Sequence, residues 1–225
     1  MYKTIALIFA LFLVGCDVMN DVVIVDPPDP EIPVVNLPEG LRQKNWAARG
    51  GGKNGQGSCV HASTIMAFRW VGEEKLADWW RTKHAGGETS VSICKYWKDN
   101  GVPYYSTLNE KTYECSGDPK FLKWASDNRI GCPIWWKNSH CCLFTGFSII
   151  DGKEYATVID NNYPDKIEKV PAEEFIRKWR QDFGGFCIAP ATSLAPSPPL
   201  PYSIVMPRKI NPNLNSQSFW QIKIF

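Results

Sequence analysis

The chain has 225 residues, enough for one good-sized domain with tails. Hydrophobic residues at 44% and charged residues at 21% describe a globular protein that can fill a core, which argues against a disordered chain. The formal charge of +2, with no basic stripe interleaved with aromatics, gives no ground for nucleic acid as a partner.

The first segment reads as an address. Lys3 precedes the apolar run Thr4 to Val14 and then Gly15-Cys16. The run is short for a bilayer span and has the form of a signal-peptide h-region. Leu13-Val14-Gly15-Cys16 resembles the bacterial lipobox, so residues 1–15 are expected to be removed and Cys16 to carry a lipid. A plain secretory signal with a chance cysteine is the alternative. Residues 16–40, with Asp26-Pro27-Pro28-Asp29-Pro30 and Ile32-Pro33, read as an extended tether. Export also bears on the cysteines. With Cys16 lipidated and Cys59 free, six of the eight remain for up to three disulfides. Zinc is the weaker reading, because no C-x-x-C pair is present and His61 and His84 lack ligand-like partners nearby in the sequence.

A domain is expected over residues 41–190. The pattern predicts a helix from Cys59 to Val71, with Ser58 able to cap it and Gly72 to break it. A second helix follows over Glu73 to Lys83, acidic at its start and basic at its end, with His84 as a solvated terminus. A third runs from Ser90, its cap, to Asn100, and a fourth from Asp118-Pro119 to Asp127. The period then changes to strands over Pro133 to Trp136, His140 to Ile150 and Lys153 to Ile159. The last two join at the hairpin turn Asp151-Gly152. A short helix opens at Pro171 and runs through Arg180, and a final strand covers Phe186 to Ala189. Helices first and mainly antiparallel strands after make an α+β fold. Residues 191–225, rich in proline, read as an extended tail whose last residues could add an edge strand.

The chemistry gathers around Gly50 to Trp70, where a glycine-rich loop runs into Gln56-Gly57-Ser58-Cys59 and directly into a helix. A thiol in the first turn sees unpaired N–H groups and the positive end of the helix dipole, both of which favour thiolate. Such a nucleophile needs a base, and the base an orienting partner. His61 points to another helix face, whereas His140 opens a strand after the polar turn Lys137-Asn138-Ser139. The partner strand ends at Asp160-Asn161-Asn162, which antiparallel pairing returns to the neighbourhood of His140. Cys141 and Cys142 alternate across that strand, so Cys142 shares the side of His140. The pairs Trp79-Trp80 and Trp135-Trp136 cannot easily bury both rings, which leaves some tryptophans to line a groove.

Gly57-Ser58-Cys59-Val60-His61-Ala62-Ser63, Gly131-Cys132-Pro133-Ile134, His140 to Gly146-Phe147, Val158-Ile159-Asp160 and Ala172-Glu173-Glu174-Phe175 with Trp179 form an ordered set. This set resembles papain-like cysteine peptidases, in particular the branch related to bacteriocin-processing peptidases that cut after double-glycine leaders. The resemblance covers about residues 50–189. It implies Cys59 as nucleophile, His140 as base and Asp160 as its orienting partner, with Asn161 as the alternative third member. It also implies Gln56 and the Cys59 N–H as oxyanion donors. The family's glutamine usually stands six residues before the nucleophile, where this chain has Lys53; Asn54 is a second candidate donor. A different register would make Cys59 a disulfide cysteine and put Ala62 in the nucleophile's place, but Ala62-Ser63 suits the helix that follows the nucleophile.

The expectation is an exported, lipid-anchored thiol hydrolase at the cell envelope. Its fold would be papain-like, a helical half carrying the nucleophile packed on a C-terminal antiparallel sheet. It would act on peptide or protein substrates and need no cofactor or metal. Cell-wall peptide cleavage and a binding module without turnover are the alternatives.

Overall fold

The computed structural model describes residues 36–47, 57–137, 139–192 and 195–215. The leader, the lipobox cysteine Cys16, most of the tether, Lys53, Asn54, Gln56 and the last ten residues lie outside them.

Among the described residues, five α-helices and six strands form a mixed α+β fold: α1 (Cys59–Trp70), α2 (Glu74–Lys83), α3 (Ser90–Asp99), β1 (Tyr104–Ser106), α4 (Pro119–Asp127), β2 (Cys132–Trp135), β3 (Cys141–Ile150), β4 (Lys153–Ile159), β5 (Glu168–Pro171), α5 (Ala172–Gln181) and β6 (Ile188–Pro190). The main sheet is antiparallel in the order β2-β3-β4-β5, and β1 pairs with β6 in a second, two-stranded sheet. An Ile134–Cys187 bridge connects the two. Asp151 and Gly152 both have left-handed φ (50° and 69°), the geometry of the tight turn expected between β3 and β4.

Helix α1 is buried from Val60 to Phe68, because it lies between α2 on one side and β3 on the other. On the α2 side, Val60, Phe68, Trp80 and Trp97 form one cluster; behind the sheet, Phe144, Phe175 and Trp179 form another. Each tryptophan pair divides. Trp80 and Trp136 are buried, while Trp79 and Trp135 stay partly exposed.

Two expected caps differ. Ser58 is the N-cap residue of α1 but makes no side-chain cap bond; its hydroxyl instead accepts from the Gly86 N–H at 2.9 Å. Helix α3 is capped by Thr89 in a reciprocal capping box with Ser92, one residue before the expected Ser90. Strands β1 and β5 lack a readable pattern, since β1 has three residues and β5 is an edge strand ending in proline. All seven cysteines from Cys59 onward are free thiols, so the disulfides that export allowed do not form among the described residues.

The proline-rich segment after residue 190 is extended but docked. Tyr104 pairs with Val205, Trp124 donates to the Pro196 carbonyl at 2.9 Å, and the Asn211 N–H donates to the Gly101 carbonyl at 3.0 Å. Gly101 has a φ of +75°, and a Cβ there would collide with the backbone at Lys209–Asn211. Gly101→Ala should therefore lower the unfolding free energy by more than about 1 kcal/mol. Limited proteolysis should release the segment beyond residue 200 before the rest of the chain unfolds. A wild-type denaturation midpoint would contradict this docking.

Candidate active site

Cys59 is the first residue of α1, His140 immediately precedes β3, and Asp160 immediately follows β4. Antiparallel pairing of β3 with β4 brings the last two together, because Leu143 faces Ile159 and the strand ends beyond them lie side by side. His140 is presented by a strained turn in which Lys137 and Ser139 both take left-handed φ (64° and 54°). The turn is held by His140 N–H donating to the Lys137 carbonyl and Trp136 N–H donating to the His140 carbonyl.

The imidazole Nε2 of His140 lies 2.8 Å from Asp160 Oδ1. That oxygen also accepts from the Asn162 N–H at 2.9 Å, and Oδ2 faces the Lys137 ammonium at 3.3 Å. Lys137 is in turn paired with Glu168 at 2.7 Å. The ring interacts with two thiols as well, Cys59 and Cys142. Burial alone would deprotonate His140, but the Asp160 bond and the two thiols outweigh it and push its pKa up to about 12. Burial likewise works against charge on Asp160, and the bonds from His140 and Asn162 reverse it, holding the carboxyl well below its ordinary range. For Cys59, burial raises the thiol. The interactions with His140 and with backbone near Cys141 and Val60 lower it further than burial raises it. The charges these shifts favour are thiolate, imidazolium and carboxylate.

Asn161, the alternative orienting residue, turns away from the imidazole. Its amide nitrogen is fully buried and lies 2.9 Å from the Cys59 carbonyl, 2.7 Å from the Cys141 carbonyl and 2.9 Å from Ser63 Oγ. It ties the start of α1 to the start of β3. Asn45, in a stretch with no periodicity to mark it, extends this frame. Its side-chain oxygen accepts from the Ser58 N–H at 3.1 Å, its amide donates to Asn162 at 3.0 Å, and its N–H donates to the Asn161 carbonyl.

The other two histidines form a separate cluster. Trp80 donates to His61 Nδ1 at 3.2 Å, and the His84 ring stacks 5.5 Å from His61 and 4.2 Å from Trp80. His84 is thus packed rather than solvated. Burial, and for His61 also the neighbouring His84, drop their pKa values to about 3 and about 4, so both are neutral at pH 7. Ala62 is buried in the core. The thiol that reaches an imidazole in this part of α1 is that of Cys59.

A groove of about 570 Å³ beside His140 is lined by Glu88, Trp135, Lys137, Ser139, Asp182 and Phe183 among others. The exposed member of the second tryptophan pair forms one of its walls.

No protein-family model, curated protein or solved structure matches this chain.

Two substitutions separate frame from charge. Asn161→Ala takes a buried donor from the Cys59 and Cys141 carbonyls and from Ser63 Oγ, and should destabilise the protein by about 2–4 kcal/mol in chemical denaturation. Asp160→Asn keeps the shape of the side chain but takes the counter-charge from the imidazolium, so the pKa of His140 drops toward its ordinary value of about 6.5. Its stability loss should be large near neutral pH and shrink below about pH 4, where the wild-type carboxylate begins to lose its advantage, whereas the loss from Asn161→Ala should not depend on pH. The same pH dependence for both would contradict this division.

Proposed function

We propose that this protein is a papain-like thiol hydrolase that cleaves peptide bonds with Cys59 as nucleophile, His140 as acid and base, and Asp160 as the group that orients His140. The reading rests on one observation above the others. A single imidazole interacts with the Cys59 thiol while Asp160 holds its Nε2 at 2.8 Å. A cysteine opening a helix, a base and a carboxylate on that base together form the activated-nucleophile arrangement of acyl-transfer enzymes.

With Nε2 committed to Asp160, Nδ1 is the nitrogen left to exchange a proton with sulfur. The Cys59 thiolate attacks the peptide carbonyl carbon, and the carbonyl electron pair moves to oxygen. The N–H of Cys59, among the unpaired donors that open a helix, faces that developing charge. Gln56, the other proposed donor, lies outside the described residues. The tetrahedral adduct collapses with cleavage of the C–N bond as Nδ1–H protonates the departing amine, leaving a thioester. Neutral His140 then takes a proton from water, the resulting hydroxide adds to the thioester, and sulfur leaves as thiolate with the carboxylic acid released. Asn161 acts by position: it fixes the backbone of Cys59 to that of Cys141 and so keeps sulfur and imidazole in register.

In this reading the leader and Cys16 export the chain and anchor it by lipid at the cell envelope, where peptide or cell-wall peptide substrates are available. The described residues contain no helix long and apolar enough to cross a membrane. A second reading, a binding module without turnover, is favoured by Lys53 standing where the resembling family places its oxyanion glutamine.

The pH dependence of alkylation tests the thiolate. The Cys59 pKa is lowered and that of His140 raised to about 12, so the thiolate should form at lower pH than in an ordinary cysteine and stay paired with imidazolium into the alkaline range. The iodoacetamide rate of Cys59, followed by mass spectrometry in chelator-containing buffer, should reach its plateau at a lower pH in the wild type than in His140→Ala. In His140→Ala it should fall more than about tenfold at pH 7 and climb with pH, as for a thiol of pKa about 8.5 or above. Peptide-library cleavage should fall about 100- to 10,000-fold in the same variant. A wild-type rate that climbs with pH and ignores His140 would remove the hydrolase reading.

A further inference from the structure

The imidazole of His140 has a third neighbour that the proposed hydrolysis does not use. Cys142 lies two residues along on the same face of β3, fully buried, with its sulfur turned to the His140 ring. One nitrogen of His140, Cys142 Sγ and one carboxylate oxygen of Asp160 all lie within 4.8 Å of one another. Sulfur, imidazole nitrogen and carboxylate oxygen on three separate backbone positions form the donor set that tetrahedral Zn²⁺ prefers.

We propose that His140, Cys142 and Asp160 form a zinc-binding site that overlaps the proposed catalytic base and switches it off. In a tetrahedral site with zinc bonds of about 2.0–2.3 Å, donor atoms stand roughly 3.3–3.8 Å apart. The present separations bracket that range: Nε2 and Oδ1 are closer at 2.8 Å, and the full set spans no more than 4.8 Å. A shift of about an ångström or less accommodates the ion, which takes the place of the proton between Nε2 and Oδ1. The balance is simple. Zn²⁺ enters, the Nε2 proton and the Cys142 thiol proton leave to solvent, and water completes the fourth position.

Besides the His140 imidazolium, Lys137 is the cation beside Asp160, 3.3 Å from Oδ2. It is 46% exposed and also paired with Glu168, so it can withdraw from Asp160 without losing its counter-charge. Oδ1, the oxygen facing Nε2, is not the one Lys137 holds. Metal on Nε2 removes Asp160 as the orienting partner and prevents the ring from cycling its proton, so an ion bound here inhibits reversibly.

Only that consequence rests on the hydrolase reading; the binding does not. The test therefore reads binding in a protein that cannot turn over. Full-length Cys59→Ser is titrated with Cd²⁺ and with Co²⁺, following metal–thiolate charge-transfer absorbance. One equivalent should bind with a thiolate band, and adding Cys142→Ser should abolish that band. Asp160→Asn in the same background, a change at a partly open position, should weaken binding more than about tenfold. A band unaffected by Cys142→Ser, or no saturable band in Cys59→Ser, would overturn the site. The alkylation profile of Cys59 in chelator would stand either way.

Discussion

One side chain holds this site together. The amide nitrogen of Asn161, wholly removed from solvent, reaches the Cys59 carbonyl, the Cys141 carbonyl and Ser63 Oγ within 2.7–2.9 Å. Two of those acceptors belong to the first helix and one to the central strand, so a single amide fastens the helical half to the sheet. These acceptors lie in or beside the core, where each hydrogen bond made is worth about 0.5–1.5 kcal/mol. Satisfying them with the residue that follows Asp160 fixes three positions at once: the thiol on one carbonyl's residue, the imidazole next to the other's, and the carboxylate one residue before the amide.

The electrostatics follow from that placement. Three titratable groups share a partly buried pocket, and burial opposes charge on every one. Their mutual attraction reverses the outcome, because the charges alternate in sign along the line from sulfur through imidazole to carboxylate. Lys137 and the Asn162 N–H add to the support of Asp160. The His61–His84 cluster makes the contrast. It too is buried in aromatic surroundings, the nearby Glu88 carboxylate stands 3.8 Å from His61 Nε2, beyond hydrogen-bonding distance, and its two rings remain neutral. Burial with a partner produces charge and burial without one suppresses it.

Much of this was legible along the chain. The thiol at a helix start, the Asp151-Gly152 turn and the return of Asp160 to His140 follow from local spacing and strand pairing, and the α+β order follows from the change of period. What was not legible depends on contacts made across the fold. Nothing near Asn161 indicates that its amide would be claimed by a carbonyl 102 residues away rather than by the neighbouring imidazole. Asn45 lies in an aperiodic stretch, and its role exists only once Ser58 and Asn162 have converged on it. Ser58 looked like a cap because its residue type suits one, yet the Gly86 N–H competes for the same oxygen. Alternation placed Cys142 on the side of His140, but only the folded turn brings its sulfur to the ring and to Asp160.

The central claim is that His140 is held as a doubly protonated cation between a thiolate and a carboxylate while the other histidines stay neutral. Nitrogen NMR of the labelled imidazoles reads this directly, since three histidines give three resolvable sets of ring signals. At pH 7 the account predicts one ring with both nitrogens protonated, assigned to His140 by its loss in His140→Ala, and two neutral rings. A neutral His140 at pH 7, titrating near the ordinary histidine value of about 6.5, would contradict it.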